Sequence, residues 1–172
     1  MRKPKTKLIG FCGKMQNGKT TSAQLTKSLF PEYRICSFAS RLKEIAYELG
    51  WDGVKDNKGR KVLQYLGTEV CRNIDGKYWI YQLHNTIKNN EFEYVVIDDI
   101  RFQNEADFIK KNNGILIHIE RRGLIKILFD KILGVFGCVH KSEIIPDGID
   151  FKIKNNNTIS YLEKKIENII FE

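Results

Sequence analysis

The chain has 172 residues, 42% hydrophobic and 29% charged, a size that holds a sizeable core and a balance that excludes disordered and fibrous classes. Its formal charge of +8 suits a nucleic-acid partner and equally suits a pocket for two phosphorylated molecules. Four cysteines, Cys12, Cys36, Cys71 and Cys138, are scattered without a C-x-x-C pair, which argues against a zinc site or disulfide framework and for a reduced, cytoplasmic compartment.

In chain order, the basic stretch MRKPKTK precedes an apolar run of about five residues, too short for a signal peptide. That run, KLIGFC, reads as a buried strand, followed by a helix from Lys19 to Phe30 that stops before Pro31. YRICSF reads as a second strand, SRLKEIAYELG as a helix closed by Gly50, and Asp52 to Gly59 as a loop. From Arg60 to Asn90 the pattern is helical twice over, in VLQYLGTEVC and YWIYQLHNTI, with the turn NIDGK between them. YVVID is a strand covered on both faces, QNEADFIKKN a helix ending at Gly114, and ILIHIE another strand. A basic helical stretch spans about Leu124 to Leu133, FKIKN is a last strand, and ISYLEKKIENII closes the chain as a helix. The apolar segment LIKILFDKILGVFGCV is broken by Lys126, Asp130 and Lys131, which argues against a membrane span. Strands alternating with helices predict an α/β fold with a mostly parallel sheet and helices on both faces.

Between the first strand and first helix lies GKMQNGKT, which fits G-x-x-x-x-G-K-[ST]. Glycines in such a loop let backbone N–H groups turn inward around a phosphate, and the helix adds its positive end. Gly13, Lys14, Gln16, Asn17, Gly18, Lys19, Thr20 and Thr21 are thus the candidate triphosphate contacts, with Lys19 reaching the β- and γ-phosphates and the Thr20 hydroxyl binding Mg²⁺. A glycine-bearing turn that matches by chance would lack this strand, loop and helix order. At the end of the third strand stand Asp98 and Asp99, then Arg101. One carboxylate there can hold Mg²⁺ through a water and Arg101 can clamp a phosphate, while strand alternation sends the two aspartates to opposite sides. The bland reading is a pair of turn aspartates beside a solvated arginine.

These residues together resemble the phage-type deoxynucleoside monophosphate kinases of the P-loop kinase superfamily. SFASRLKEIAYELG is similar to a family segment in which a Phe-Ala pair opens a lysine-bearing helix, here Phe38, Ala39 and Lys43. GRKVLQYLGTEVCRNIDGKYWI resembles the Arg-x-x-Leu-Gln-x-x-Gly-Thr-Glu helix and its downstream tryptophan, at Arg60, Leu63, Gln64, Gly67, Thr68, Glu69 and Trp79. DIRFQNEA matches at Asp99, Arg101, Phe102, Asn104 and Glu105, and this match selects Asp99 over Asp98 as the metal-side carboxylate. HKSE, at His140, Ser142 and Glu143, and the NNNT stretch before the last helix complete it. Asn157 stands where the family usually has glycine.

The resemblance implies one P-loop kinase domain over 1–172, a three-layer sandwich on a five-stranded parallel sheet. It adds a helical substrate-binding insertion at about 51–90 and a lid at about 121–141. It further implies ATP-dependent phosphorylation of deoxynucleoside monophosphates, with Mg²⁺, by direct in-line transfer. Lys19, Asp99, Arg101 and the lid residues Arg121 and Arg122 are then catalytic candidates, although a solvated basic turn would also account for the last two. Asn155 falls in the loop expected to contact the adenine. Arg60 and Arg101 are the first choices for the acceptor phosphate, Lys43 and Arg72 weaker ones; Gln64 would read a base edge and Phe38 or Trp79 would stack on the base. For Trp79, core packing is the competing reading. Glu105 and Glu143 would orient arginines, and His84 and His118 receive no role. The alternatives are a related small-molecule kinase, such as one acting on dephospho-coenzyme A, and a basic nucleic-acid-binding P-loop protein. The segment from Arg60 to Gly67 and DIRF favour the nucleotide kinase, with no stable nucleic-acid partner and no membrane. A homodimer stays open.

Overall fold

A computed structural model describes residues 7–121 and 145–171. In chain order the elements are β1 (Leu8–Cys12), α1 (Lys19–Leu29), β2 (Arg34–Cys36), α2 (Ala39–Glu48), α3 (Asn57–Gln64), a π-helical segment (Tyr65–Arg72), α4 (Tyr78–Asn89), β3 (Val95–Ile100), α5 (Gln103–Lys111), β4 (Ile115–Glu120), β5 (Phe151–Lys154) and α6 (Ile159–Phe171). They fall into two compact units, Met1–Ile35 with Glu93–Glu172, and Cys36–Phe92.

The first unit is built on a five-stranded sheet of order β2-β3-β1-β4-β5. β1 runs parallel to both β3 and β4, and β4 parallel to β5. Strands this apolar must be covered on both faces. On one face Ile9, Phe11, Val96, Ile117, Ile119 and Ile153 meet Ala23 and Phe30 of α1 and Leu162, Ile166, Ile169 and Ile170 of α6. The α6 positions follow the helical period, and each large side chain buried there contributes about 1.5–3 kcal/mol. On the other face Ile100 of β3 and Ile109 of α5 close over Gly10. Helices on both sides of a parallel sheet make the expected three layers. The chain departs from β1 toward β2 and later crosses to β4 on the other side, so the carboxyl ends of β1, β3 and β4 frame a topological switch point.

The β1–β3 pairing is irregular where it matters. Gly10 pairs with Ile97 but Cys12 with Ile100, so two steps on β1 face three on β3. The extra residue falls at Asp98–Asp99, and a bulge of this kind interrupts strict side-chain alternation.

In the second unit, three residues of the expected loop, Asn57–Gly59, form the first turn of α3, because the Asp56 carboxylate caps it by accepting from Gly59 N at 2.7 Å. The apolar pattern predicts an ordinary helix through VLQYLGTEVC, whereas Tyr65–Arg72 is π-helical. Gly67 lies buried in this segment, where a Cβ would stand 3.0 Å from Leu42 Cδ2, and its carbonyl accepts the Trp79 indole N–H at 2.9 Å. An indole at that carbonyl competes with the regular helical donor, and π-bulges arise where a side chain enters the ladder.

Candidate active site

The loop between β1 and α1 can fold only with glycine at two positions. Gly13 has φ +138, and a Cβ there would lie 2.3 Å from Ile119 O; Gly18 has φ +99, and a Cβ there would lie 2.4 Å from Asn155 Nδ2. Between them Gln16 also adopts a left-handed φ of 64. Asn17 is buried, with its Nδ2 donating to Ile119 O at 2.9 Å. Lys19 is buried as well, a costly place for an ammonium unless it is hydrogen-bonded; its Nζ donates to Gly13 O at 2.6 Å and Lys14 O at 3.0 Å. The N-cap of α1 is Gly18, which has no side chain to cap it, and no acidic residue lies in the first turn, so the helix keeps its positive end for an anion.

Thr20, exposed on the first turn of α1, donates through Oγ1 to Asp98 Oδ2 at 2.8 Å. Sequence matching selects Asp99 for the metal side, whereas the carboxylate that accepts from Thr20 Oγ1 in the structure is Asp98. The physical reason lies in β3. Val96 packs in the α1 face of the core, and Asp98, two residues on, continues that face toward α1. This period-two relation was present in VVIDD and could have found Asp98. Thr20 Oγ1 and Asp98 Oδ2 are hard oxygen donors, a set that fits Mg²⁺.

Beyond β3, the buried Glu105 accepts from both Arg101 N at 2.8 Å and Phe102 N at 3.0 Å through Oε2. It grips the backbone that carries Arg101, a main-chain contact that sequence could not show. Arg101 itself is exposed.

Two buried groups lie beside the loop on adjacent strands, Cys12 of β1 and its register partner His118 of β4. Burial pushes the Cys12 thiol up to about 11 against the opposing pull of the Lys19 ammonium. Among the described residues neither ring nitrogen of His118 has a hydrogen-bond partner; burial lowers its pKa, Glu120 opposes this, and Lys152 and Lys19 add to it. Sequence reading missed this pair because nothing in ILIHIE marks a histidine as unpartnered.

The remaining candidates are placed as follows. Lys14 is half-buried, and Gln16 and Thr21 are exposed. Arg121, the first residue after β4, is exposed. Arg122, Lys126, Cys138, His140, Ser142 and Glu143 lie outside the described residues. Asn155 follows β5 directly and donates through Nδ2 to Asn17 O at 3.0 Å. In the second unit Lys43 on α2 and Arg72 at the end of the π-helical segment are half-buried, and Gln64 is exposed at the end of α3. Arg60 is exposed, with Nε donating to Lys55 O at 3.0 Å. Of the two rings expected to stack on a base, Phe38 is 4% and Trp79 2% exposed, and the Trp79 indole donates to Gly67 O. Both rings are buried in the ligand-free chain.

Comparison with known proteins then bears on the chemistry. A family described as deoxynucleotide monophosphate kinase matches residues 51–166. A protein of Acanthamoeba polyphaga mimivirus, assigned to the deoxynucleotide monophosphate kinases, is 32% identical over 193 residues, covering 92% of this chain and 93% of the relative. The deoxynucleoside-5'-monophosphate kinase of Escherichia phage T5 is 34% identical over 55 residues, 31% of this chain and 22% of that one. Among solved structures, shikimate kinase from Acinetobacter baumannii superposes with a TM-score of 0.53 at 13% identity, over 97% of this chain and 94% of that one, which speaks to the fold alone. With the family match running through Arg60 to Glu69, Asp99 to Glu105 and NNNT, and a full-length relative beside it, the chain belongs to the deoxynucleotide monophosphate kinase family.

Proposed function

We propose that this chain is an ATP-dependent kinase that converts deoxynucleoside monophosphates to diphosphates. The observation that carries the reading is the Thr20–Asp98 contact at the mouth of a phosphate-binding loop, in a chain of this family. Phosphoryl transfer asks a protein for alignment and charge neutralisation rather than covalent chemistry. In this reading Lys19 exchanges its two carbonyl acceptors for phosphate oxygens, and the N–H groups of the loop and of the first turn of α1 hold the β-phosphate. Thr20 and Asp98 would hold Mg²⁺, which when bound neutralises charge shared by the β- and γ-phosphoryl oxygens. Arg101 and Arg121 supply guanidinium charge, and Arg122 continues the basic run in sequence. The acceptor's own phosphate oxygen is the nucleophile and is already anionic, so the reaction needs no strong base. Arg60 remains the first choice in the second unit for the acceptor phosphate, with Lys43 and Arg72 behind it and Gln64 for the base.

A transfer assay with γ-labelled ATP tests this against each deoxynucleoside monophosphate, with dephospho-coenzyme A as the competing acceptor. Label is expected on at least one monophosphate and not on dephospho-coenzyme A. Lys19→Ala is expected to lower kcat by about 10²–10³ without loss of fold, through lost transition-state charge stabilisation. Arg60→Ala is expected to raise the acceptor KM and leave the ATP KM unchanged. No transfer to any monophosphate, or full turnover in Lys19→Ala, would remove the reading.

A further inference from the structure

Asn155 is the residue after β5, and both of its amide groups are engaged. Its backbone N–H donates to Glu120 O at 2.7 Å, one step beyond Lys154, which pairs with Glu120 in the β4–β5 ladder. Its side chain turns the other way, toward the phosphate-binding loop, where Nδ2 donates to Asn17 O at 3.0 Å. Asn17 is itself 3% exposed and donates through its own Nδ2 to Ile119 O at 2.9 Å. Two carboxamides in series therefore tie the loop to the ends of β4 and β5. The missing side chain of Gly18 makes room for the link, since a Cβ there would stand 2.4 Å from Asn155 Nδ2.

The tie has a directional consequence. The Asn17–Gly18 peptide is trans, so its C=O and N–H point in opposite directions. Holding Asn17 O on Asn155 turns the Gly18 N–H away from Asn155. Gly18 also initiates α1, where its carbonyl accepts from Ser22 N at 2.9 Å and Ser22 Oγ at 3.0 Å. With its carbonyl fixed on one side and the preceding carbonyl on the other, the Gly18 peptide has little rotational freedom left. A pre-set N–H costs nothing to orient when an anion arrives.

We infer that Asn155 is a positioning residue for the triphosphate, acting through Asn17 and Gly18 of the loop rather than through the adenine base. The inference rests on the proposed function only in taking the loop to bind a polyphosphate. It differs from the adenine contact that the sequence resemblance implies for this segment.

The test is calorimetric titration of the full chain, wild type and Asn155→Ala, with ATP and with inorganic tripolyphosphate, each with Mg²⁺. A positioning role predicts that Asn155→Ala weakens both ligands by the same factor, about two- to twelvefold, the range for one lost hydrogen bond. Loss confined to ATP assigns Asn155 to the base and overturns the inference, as does unchanged binding of both. If wild type binds neither ligand, the polyphosphate reading of the loop fails, a separate result. The backbone amide resonance of Gly18 gives a second readout in Asn155→Ser, which retains a short donor and guards against misfolding in the alanine variant. It is expected to shift in the ligand-free protein, and a shift in neither Gly18 nor Asn17 overturns the inference.

Discussion

His118 shows how a single side chain makes stability respond to pH. It is 5% exposed and neither ring nitrogen has a hydrogen-bond partner among the described residues, so the fold favours its neutral form, with burial as the main cause. The charged groups acting on it are Glu120, Lys152 and Lys19, two of the three opposing its protonation, and Cys12 lies beside it as a neutral thiol. The folded pKa lies below the unfolded value of 6.5, so between the two the unfolded chain binds the extra proton and stability falls as pH falls. Wild type is expected to lose Tm more steeply between about pH 7 and pH 5 than His118→Asn, measured by thermal melts in matched buffers. Parallel slopes would show that His118 is solvated. Lys19 and Thr20 were legible because a motif fixes chemistry and spacing together. The Asp98 side of the pair is legible only through the period-two relation to Val96, which motif matching does not weigh, and the Asn155–Asn17 link joins positions whose contact only the fold creates.

Among elements, the π-helical segment Tyr65–Arg72 departs furthest from sequence expectation. Apolar period distinguishes helix from strand, but the α and π ladders carry nearly the same pattern, so YLGTEVCR reads as helix either way. The strands were more legible: LIGFC, VVIDDI and ILIHIE are short β-branched or apolar runs that only a covered parallel sheet accommodates. Trp79 ties α4 to the π-helical segment through its indole N–H and the Gly67 carbonyl, and its ring is buried. Trp79→Phe keeps most of the apolar volume and removes the donor. It is expected to lower stability by about 1–3 kcal/mol, read from a chemical-denaturation midpoint, with the ATP KM unchanged. If acceptor turnover collapses while stability is untouched, the ring belongs to the substrate and not to the packing.

At the scale of the whole molecule, the sequence was informative about architecture because its signals agree: alternation of strand and helix, the glycine loop at the first junction, and basic residues placed along the chain. The division into Met1–Ile35 with Glu93–Glu172 and Cys36–Phe92 was harder to read, since no Pro- or Gly-rich linker marks either crossing. One bond seen in the first unit also bears on how the protein stands up to its surroundings. Because the Thr20 hydroxyl and the Asp98 carboxylate satisfy each other at 2.8 Å, folding does not leave an uncompensated carboxylate waiting for a cation. The protein should therefore be indifferent to chelation, unlike small zinc domains whose structure collapses without metal. EDTA is expected to leave Tm within about 1 °C, and Mg²⁺ to raise it appreciably only when ATP is also present, by the linkage of bound ligand to folding. A large fall in Tm with EDTA alone would mean that the cation is a structural part of the fold, held before any nucleotide arrives.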